Sequence, residues 1–196
     1  MNTAQPIRKV EDIKKIKEYY RYRFPHSRNE VLIIIGLNTA LRISDILSLQ
    51  WNMVYDFTKE EYHTHIVLKE KKTGKLSRIY INHNVIEVLS RYQQAQLLRE
   101  KPVGPDDFLF GHENENIPIS RVQAFRIIKK AAEDCSIQGN ICCHSLRKTF
   151  GYHAWKQGIS PVLLMNIYNH SSFQVTKRYL GIEQDDRDQI FRQIYL

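Results

Sequence analysis

From residue 144 to residue 179 the chain reads His144-Ser145-Leu146-Arg147, then Asn169-His170-Ser171-Ser172, and closes on Lys177-Arg178-Tyr179. His144 and Arg147 stand three residues apart, a spacing that puts both on one face of a helix. Tyr179 lies nine residues beyond His170. Two histidines and an arginine form a cation set suited to phosphate, and the tyrosine supplies a hydroxyl nucleophile. Gly158 ends the first helix of this stretch, Ser160-Pro161 caps a second over 162–168, and a short third carries 176–180. The stretch is helical throughout. Taken singly, His144 is more often a core histidine and Tyr179 a surface phenol.

Upstream, helical spacing predicts a basic helix over 10–22, with Ile13, Ile16 and Tyr20 on one side, and an apolar core helix over 29–39. Another helix begins near Arg42, with Ile43, Ile46, Leu47 and Leu49 on its buried side. An arginine flanked by apolar residues needs a carboxylate or an external anion, and Asp45 is the carboxylate nearest in sequence. After Trp51 the pattern turns to β-branched runs, 65–68 and 76–81, around Lys69-Glu70-Lys71-Lys72-Thr73-Gly74-Lys75. That is an antiparallel hairpin tipped with lysines. Such a tip reads either as a solubilising edge or as a finger that places an ammonium near a phosphate. An amphipathic helix over 84–99 follows, with Val85, Val88, Leu89, Tyr92 and Ala95 inward. Phe108-Leu109-Phe110-Gly111 reads as a short buried segment. Ser120 caps a helix over 121–135 whose stripe is Phe125, Ile128, Ala132 and Cys135. From Gln184 onward, Ile190, Phe191, Ile194 and Tyr195 form an apolar stripe on a polar helix that needs a groove in its own subunit or a neighbour.

The 196 residues suit a single domain, 1–196, with 1–9 as a short lead and 184–196 as the docking helix. Lys and Arg outnumber Asp and Glu, 29 to 21, a net charge of +8 that suits a polyanionic partner. Three cysteines, Cys135, Cys142 and Cys143, make neither a disulfide framework nor a C-x-x-C metal pair. They read as free thiols in a reducing compartment. The apolar run 31–41 is too short to span a bilayer, and residues 1–7 have no signal-peptide character. The expectation is a cytoplasmic protein off the membrane.

The ordered pieces Ala40-Leu41-Arg42-Ile43-Ser44-Asp45, Lys72-Thr73-Gly74-Lys75, His144-Ser145-Leu146-Arg147-Lys148 and Asn169-His170-Ser171-Ser172 up to Tyr179 resemble the tyrosine recombinase (phage integrase) family. The resemblance covers essentially the whole chain. It implies the family's catalytic-domain (DNA breaking-rejoining) fold, mainly α with a small antiparallel β-sheet, an α+β arrangement. It also implies a site-specific recombinase for integration, excision or inversion. Tyr179 would form a 3′-phosphotyrosyl bond, Arg42, Arg147 and His170 would hold the phosphoryl oxygens, and His144 would move the tyrosine proton. Lys72 would protonate the departing 5′-oxygen, with Lys71 and Lys75 flanking the same turn as alternatives. Asp45 would support Arg42. Neither a metal nor another cofactor is implied, and no small-molecule substrate. The partner would be double-stranded DNA, bound by four protomers on two synapsed duplexes, with the free protein a monomer or weak oligomer. A type IB topoisomerase and a catalytically silent DNA-binding module are the competing readings.

Two departures from the family pattern stand near the site. Tyr168-Asn169 replaces the usual Leu-Gly before the second histidine, and Lys148 follows the box arginine where His or Arg is usual. Asn tolerates the left-handed conformation that Gly supplies. The usual N-terminal helical domain has no counterpart here, so the chain either works as the catalytic half alone or is part of a longer protein.

Overall fold

A computed structural model describes residues 3–112, 115–182, 188 and 191–194. Its centre is α2, Arg28–Asn38, capped by the Ser27 hydroxyl and buried from Glu30 through Leu37. A helix apolar on all sides must be covered on all sides. Here α1 (Val10–Arg23), α4 (His83–Leu98) and α6 (Cys143–Lys156) pack against it. The approach of α6 is close. A Cβ on Gly36 would lie 2.6 Å from Leu146 Cδ1 and 3.2 Å from its Cβ, so any larger residue requires Leu146 to give way.

After α2 comes α3, a single turn over Ile43–Ile46 rather than a full helix, with Ile43, Ile46, Leu47 and Leu49 buried as the sequence suggested. A 3-10 turn over Trp51–Met53 leads into β1 (Tyr55–Asp56) and β2 (Glu61–Tyr62). The expected lysine-tipped hairpin follows as β3 (His65–Lys69) and β4 (Leu76–Tyr80), in register from His65 opposite Tyr80 to Lys69 opposite Leu76. Ile66 and Leu68 face the core while Val67 and Lys69 face out, the period-two alternation of a half-buried strand. Beyond α4, Leu109 and Phe110 are fully buried, and Gly111 opens a further hairpin of β5 (Gly111–His112) and β6 (Glu115–Pro118). The small sheet is therefore three separate antiparallel pairs among the described residues.

The last helices are α5 (Arg121–Asp134), α6, α7 (Pro161–Tyr168) and α8 (Phe173–Leu180). On α5 the buried stripe is Ala124, Ile128, Ala131 and Ala132, so Phe125 does not belong to it and stands 39% exposed. The stripe is rotated by one residue because α1, α2, α3 and α6 crowd that face, where alanine fits and phenylalanine does not. The 184–196 helix lies largely outside the described residues; of its stripe, Phe191 and Ile194 are exposed.

Two apolar clusters share α2, one with the hairpin β3–β4 and α4, the other with α1, α5 and α6. A third joins Ala40, Tyr152, Leu164, Tyr168, Leu180 and Ile182, with Tyr179 packed against it. Gly151 makes that cluster possible. A Cβ there would meet Tyr168 Oη at 2.5 Å and Leu180 Cδ2 at 2.6 Å, so α7 and α8 can close on α6 only over a glycine.

Candidate active site

Arg147 is buried at 4% exposure on the inner face of α6. Its guanidinium donates to the carbonyls of Ala40 and, at 3.4 Å, of Tyr168, and lies 4.6 Å from the Tyr168 ring centroid. The Tyr168 hydroxyl donates back to Arg147 O at 2.7 Å. Backbone dipoles and a ring face thus hold the cation without neutralising it. Burial lowers its pKa below the ordinary arginine value, against the pull of Tyr179, but a guanidinium stays charged at any physiological pH.

Arg42, immediately before α3, is prepared in another way. Its partner is Glu70, at 2.5 Å, with the two side chains only 15% and 5% exposed. The expectation that Asp45 supports Arg42 is therefore corrected. Asp45 is fully buried and its Oδ1 accepts the Lys71 backbone N–H at 2.9 Å, which fixes the start of the lysine turn. Sequence proximity favoured Asp45, but the short turn of α3 aims it at the hairpin. Glu70 also accepts from Ser77 Oγ at 2.7 Å, Thr73 Oγ1 at 3.0 Å and Asn169 Nδ2 at 3.2 Å. Burial raises its pKa, yet these donors and Arg42 more than compensate, and the net shift is downward. Glu70 stays ionised.

Asn169, the residue standing for glycine, caps α7 in the left-handed conformation at φ +54°. Its side chain bridges Glu70 and, at 3.1 Å, the Lys75 ammonium. Lys75 is thereby tied to α7, whereas Lys72 is exposed and close enough to lower the pKa of His170. The turn itself needs Gly74 at φ +67°.

His170 stacks on Tyr168, with ring centroids 5.5 Å apart, and meets Tyr179 edge-on at 5.0 Å. Its Nδ1 lies 3.1 Å from Thr176 Oγ1, one turn before Tyr179 on α8. Burial, then the charges of Arg147, Arg42 and Lys72, hold its pKa below the ordinary histidine value. Tyr179 packs on Tyr168 at 5.4 Å, and its hydroxyl is buried with no hydrogen bond of good geometry. Burial raises the phenol pKa, and the nearby Arg147 and Arg42 pull it back only in part. His144 stands at the second residue of α6, exposed at the rim, its pKa lowered by desolvation and by Arg147, Lys148, Arg121 and Arg42. The single-residue expectations are thus reversed. The histidine is outside and the phenol oxygen inside.

The six residues singled out in the sequence come from the residue before α3, the hairpin, α6, α8 and the loop after α7; Arg42 and Arg147 act on His144, His170 and Tyr179, and Lys72 acts on His170. Sequence reasoning anticipated the left-handed backbone of Asn169 but missed its side-chain bridge, and it missed Glu70. Glu70 was visible only as one charge in a lysine-rich turn.

Such an arrangement presents two guanidinium groups, neutral histidines and a protonated phenol to an anion. Residues 9–185 match the phage integrase family. The chain is 38% identical over 185 residues to "Probable integrase/recombinase YoeC" of Bacillus subtilis strain 168, covering 94% of this chain and 93% of that one. It is 27% identical over 171 residues to "Tyrosine recombinase XerD" of Corynebacterium glutamicum, covering 84% of this chain and 52% of that one. Among solved structures, XerH recombinase bound to palindromic difH superposes with a TM-score of 0.73 at 17% identity, over 98% of this chain and 54% of that one. XerA recombinase superposes with a TM-score of 0.72 at 18% identity, over 98% and 65%. The fold is that of a tyrosine recombinase catalytic domain, and the chain spans about half the length of several of these relatives. With the family match running from before α1 to beyond α8, the chain belongs to the phage integrase family of tyrosine recombinases.

Proposed function

We propose that this chain is a site-specific DNA recombinase whose residues 1–196 act as one catalytic domain, cutting and rejoining strands through a phosphotyrosine. One observation carries the reading. A buried phenol oxygen without a well-formed hydrogen bond lies beside the guanidinium of Arg147, within the field of Arg42 and against the ring of His170. A structural tyrosine at that depth would be expected to hydrogen-bond its oxygen.

The Tyr179 oxygen attacks the scissile phosphorus. Its proton passes to His144, which is neutral at pH 7 because its pKa is depressed. The new O–P bond forms as the P–O5′ bond breaks, and the 5′-oxygen takes a proton from Lys72. Arg42 and Arg147 hold the non-bridging oxygens, whose charge grows in the transition state, so these contacts strengthen there. His170 Nδ1 lies 3.1 Å from the Thr176 hydroxyl, and in the tautomer protonated at Nε2 the neutral ring offers Nε2–H to the same oxygens. The bond energy stays in the phosphotyrosine, so religation runs the step in reverse without ATP.

Duplex DNA is the partner, bound largely through phosphates and hence weakened by salt. Strand exchange between two duplexes calls for four protomers, and the exposed Phe191 and Ile194 support docking of the C-terminal residues on a neighbour. Work on DNA fits a cytoplasmic protein; among the described residues no helix is long and apolar enough to cross a membrane.

The test uses nicked suicide duplexes tiled from DNA flanking the protein's own gene. Wild type should form an SDS-resistant adduct and Tyr179→Phe none. A chain that binds these duplexes without any adduct would be a silent DNA-binding module, and site-independent supercoil relaxation would mark a topoisomerase.

A further inference from the structure

The residues before α1 do more than lead into the domain. Extended across α6, they are tied down at successive points. Gln5 N–H donates to Asn140 O at 3.1 Å, and Ile7 N–H to Thr149 Oγ1 at 2.8 Å. Ile7 O lies 2.9 Å from His153 Nε2, and the Ile7 side chain is 2% exposed. Two further ties reach the nucleophile helix. The Lys148 ammonium donates to Ala4 O at 2.8 Å and stands 4.9 Å from the Tyr179 ring centroid. The Arg8 guanidinium donates to Gly181 O at 2.8 Å, just past the end of α8. It also lies 5.0 Å from the ring of Tyr152, which belongs to the cluster holding Leu180.

Beyond the nearby Arg147 guanidinium, Tyr179 has no hydrogen bond of good geometry on its oxygen, so contacts to its ring and its backbone do most to fix where that oxygen points. Tyr168 and His170 touch the ring from one side of the cluster. Lys148 supplies a cation from α6, and it would be free to leave if Ala4 O did not hold it. It meets the Ala4 carbonyl and the Tyr179 ring at a half-buried site, where desolvation lowers its own pKa. Arg8 meanwhile anchors the carbonyl end of α8, two residues past the nucleophile, where a cation also complements the helix dipole.

We propose that residues 4–8 form a strap that sets the position of Tyr179, with Lys148 and Arg8 as its two positioning residues. Lys148 orients the phenol ring, and Arg8 fixes the register of α8 against α6. A long cationic side chain at position 148 then has a use, because it reaches Ala4 O and the phenol ring at once. The catalytic consequence rests on the strand-transfer reading above, whereas the strap itself can be tested without DNA.

In the full chain, amide hydrogen exchange over 173–182 would be compared among wild type, Arg8→Ala, Lys148→Ala and Lys148→Arg, with 28–38 as the folding control. Exchange over 173–182 should rise by roughly fivefold in both alanine variants, the scale of one lost hydrogen bond. Lys148→Arg should restore protection, and 28–38 should not change. Wild-type exchange in both alanine variants overturns the proposal, and so does a loss shared with 28–38, which would mark a merely structural role. On a nicked duplex that wild type cleaves, the alanine variants should form adduct roughly fivefold more slowly at unchanged DNA affinity; a loss confined to affinity overturns the positioning role. If wild type forms no adduct, strand transfer fails while the exchange result still decides the strap.

Discussion

Arg42 and Arg147 both act on the Tyr179 phenol but are held in opposite ways. Arg147 is held by two carbonyls and an aromatic face, so its full charge remains available. Arg42 is paired with an ionised, nearly buried Glu70, so much of its charge is already offset. Carbonyl dipoles position a cation without competing for its ligand. A carboxylate positions it more strongly and then resists any phosphate that approaches. The difference suggests that Arg147 carries more of the transition-state stabilisation, while Arg42 and Glu70 also carry part of the fold.

The largest test of that contrast is Arg147→Ala, which should slow adduct formation by about a thousandfold in single-turnover cleavage, the upper range for one oxyanion donor. A loss smaller than that of Arg42→Ala would reverse the ranking. Next, Glu70→Ala should lower the unfolding free energy in urea by about 3 kcal/mol, since it strands a buried guanidinium. The double variant Arg42→Met with Glu70→Leu should recover much of that stability but no cleavage. Full recovery of cleavage would mean that Arg42 serves only the fold.

A smaller effect separates the lysines. Lys72→Ala should slow cleavage about a hundredfold, as expected for loss of a general acid, while Lys75→Ala costs only a few-fold through its tie to Asn169. A substrate with a 5′-bridging sulfur needs no proton on its leaving group and should rescue Lys72→Ala alone.

The smallest effect concerns pH. Because the pKa of His144 is lowered from 6.5, it stays neutral down to below that value. The acid limb of the cleavage rate in free enzyme should thus fall below pH 6.5 and disappear in His144→Gln. Stability follows the same sign. His144 and His170 bind fewer protons folded than unfolded, so stability is full above the ordinary pKa of 6.5 and declines as pH falls through it. A flat denaturation midpoint between pH 8 and about 5.5 would contradict both shifts.

The legible parts of the site were those written in local order. His144 and Arg147 share a helix face, Thr73-Gly74 marks a turn, and Ser160-Pro161 marks a helix start, each within a few residues. Phe125 was misjudged because a helical stripe one residue over is almost equally periodic, and only the crowding of α2 and α6 against α5 selects alanine. Glu70 was missed because the partner of Arg42 stands 28 residues away, while Asp45 is three away and of the right charge.

By itself the sequence determined the order of helices and hairpins, the cation set and the phenol, because periodicity, caps and turns are properties of neighbours along the chain. Tertiary structure alone decided which carboxylate meets Arg42, that His144 is exposed while the Tyr179 oxygen is buried, and that Ala4 and Gly181 are bound by Lys148 and Arg8. Those contacts join residues up to 173 positions apart. They depend on how closely α6, α7 and α8 pack over Gly36 and Gly151, and spacing along the chain carries no measure of that.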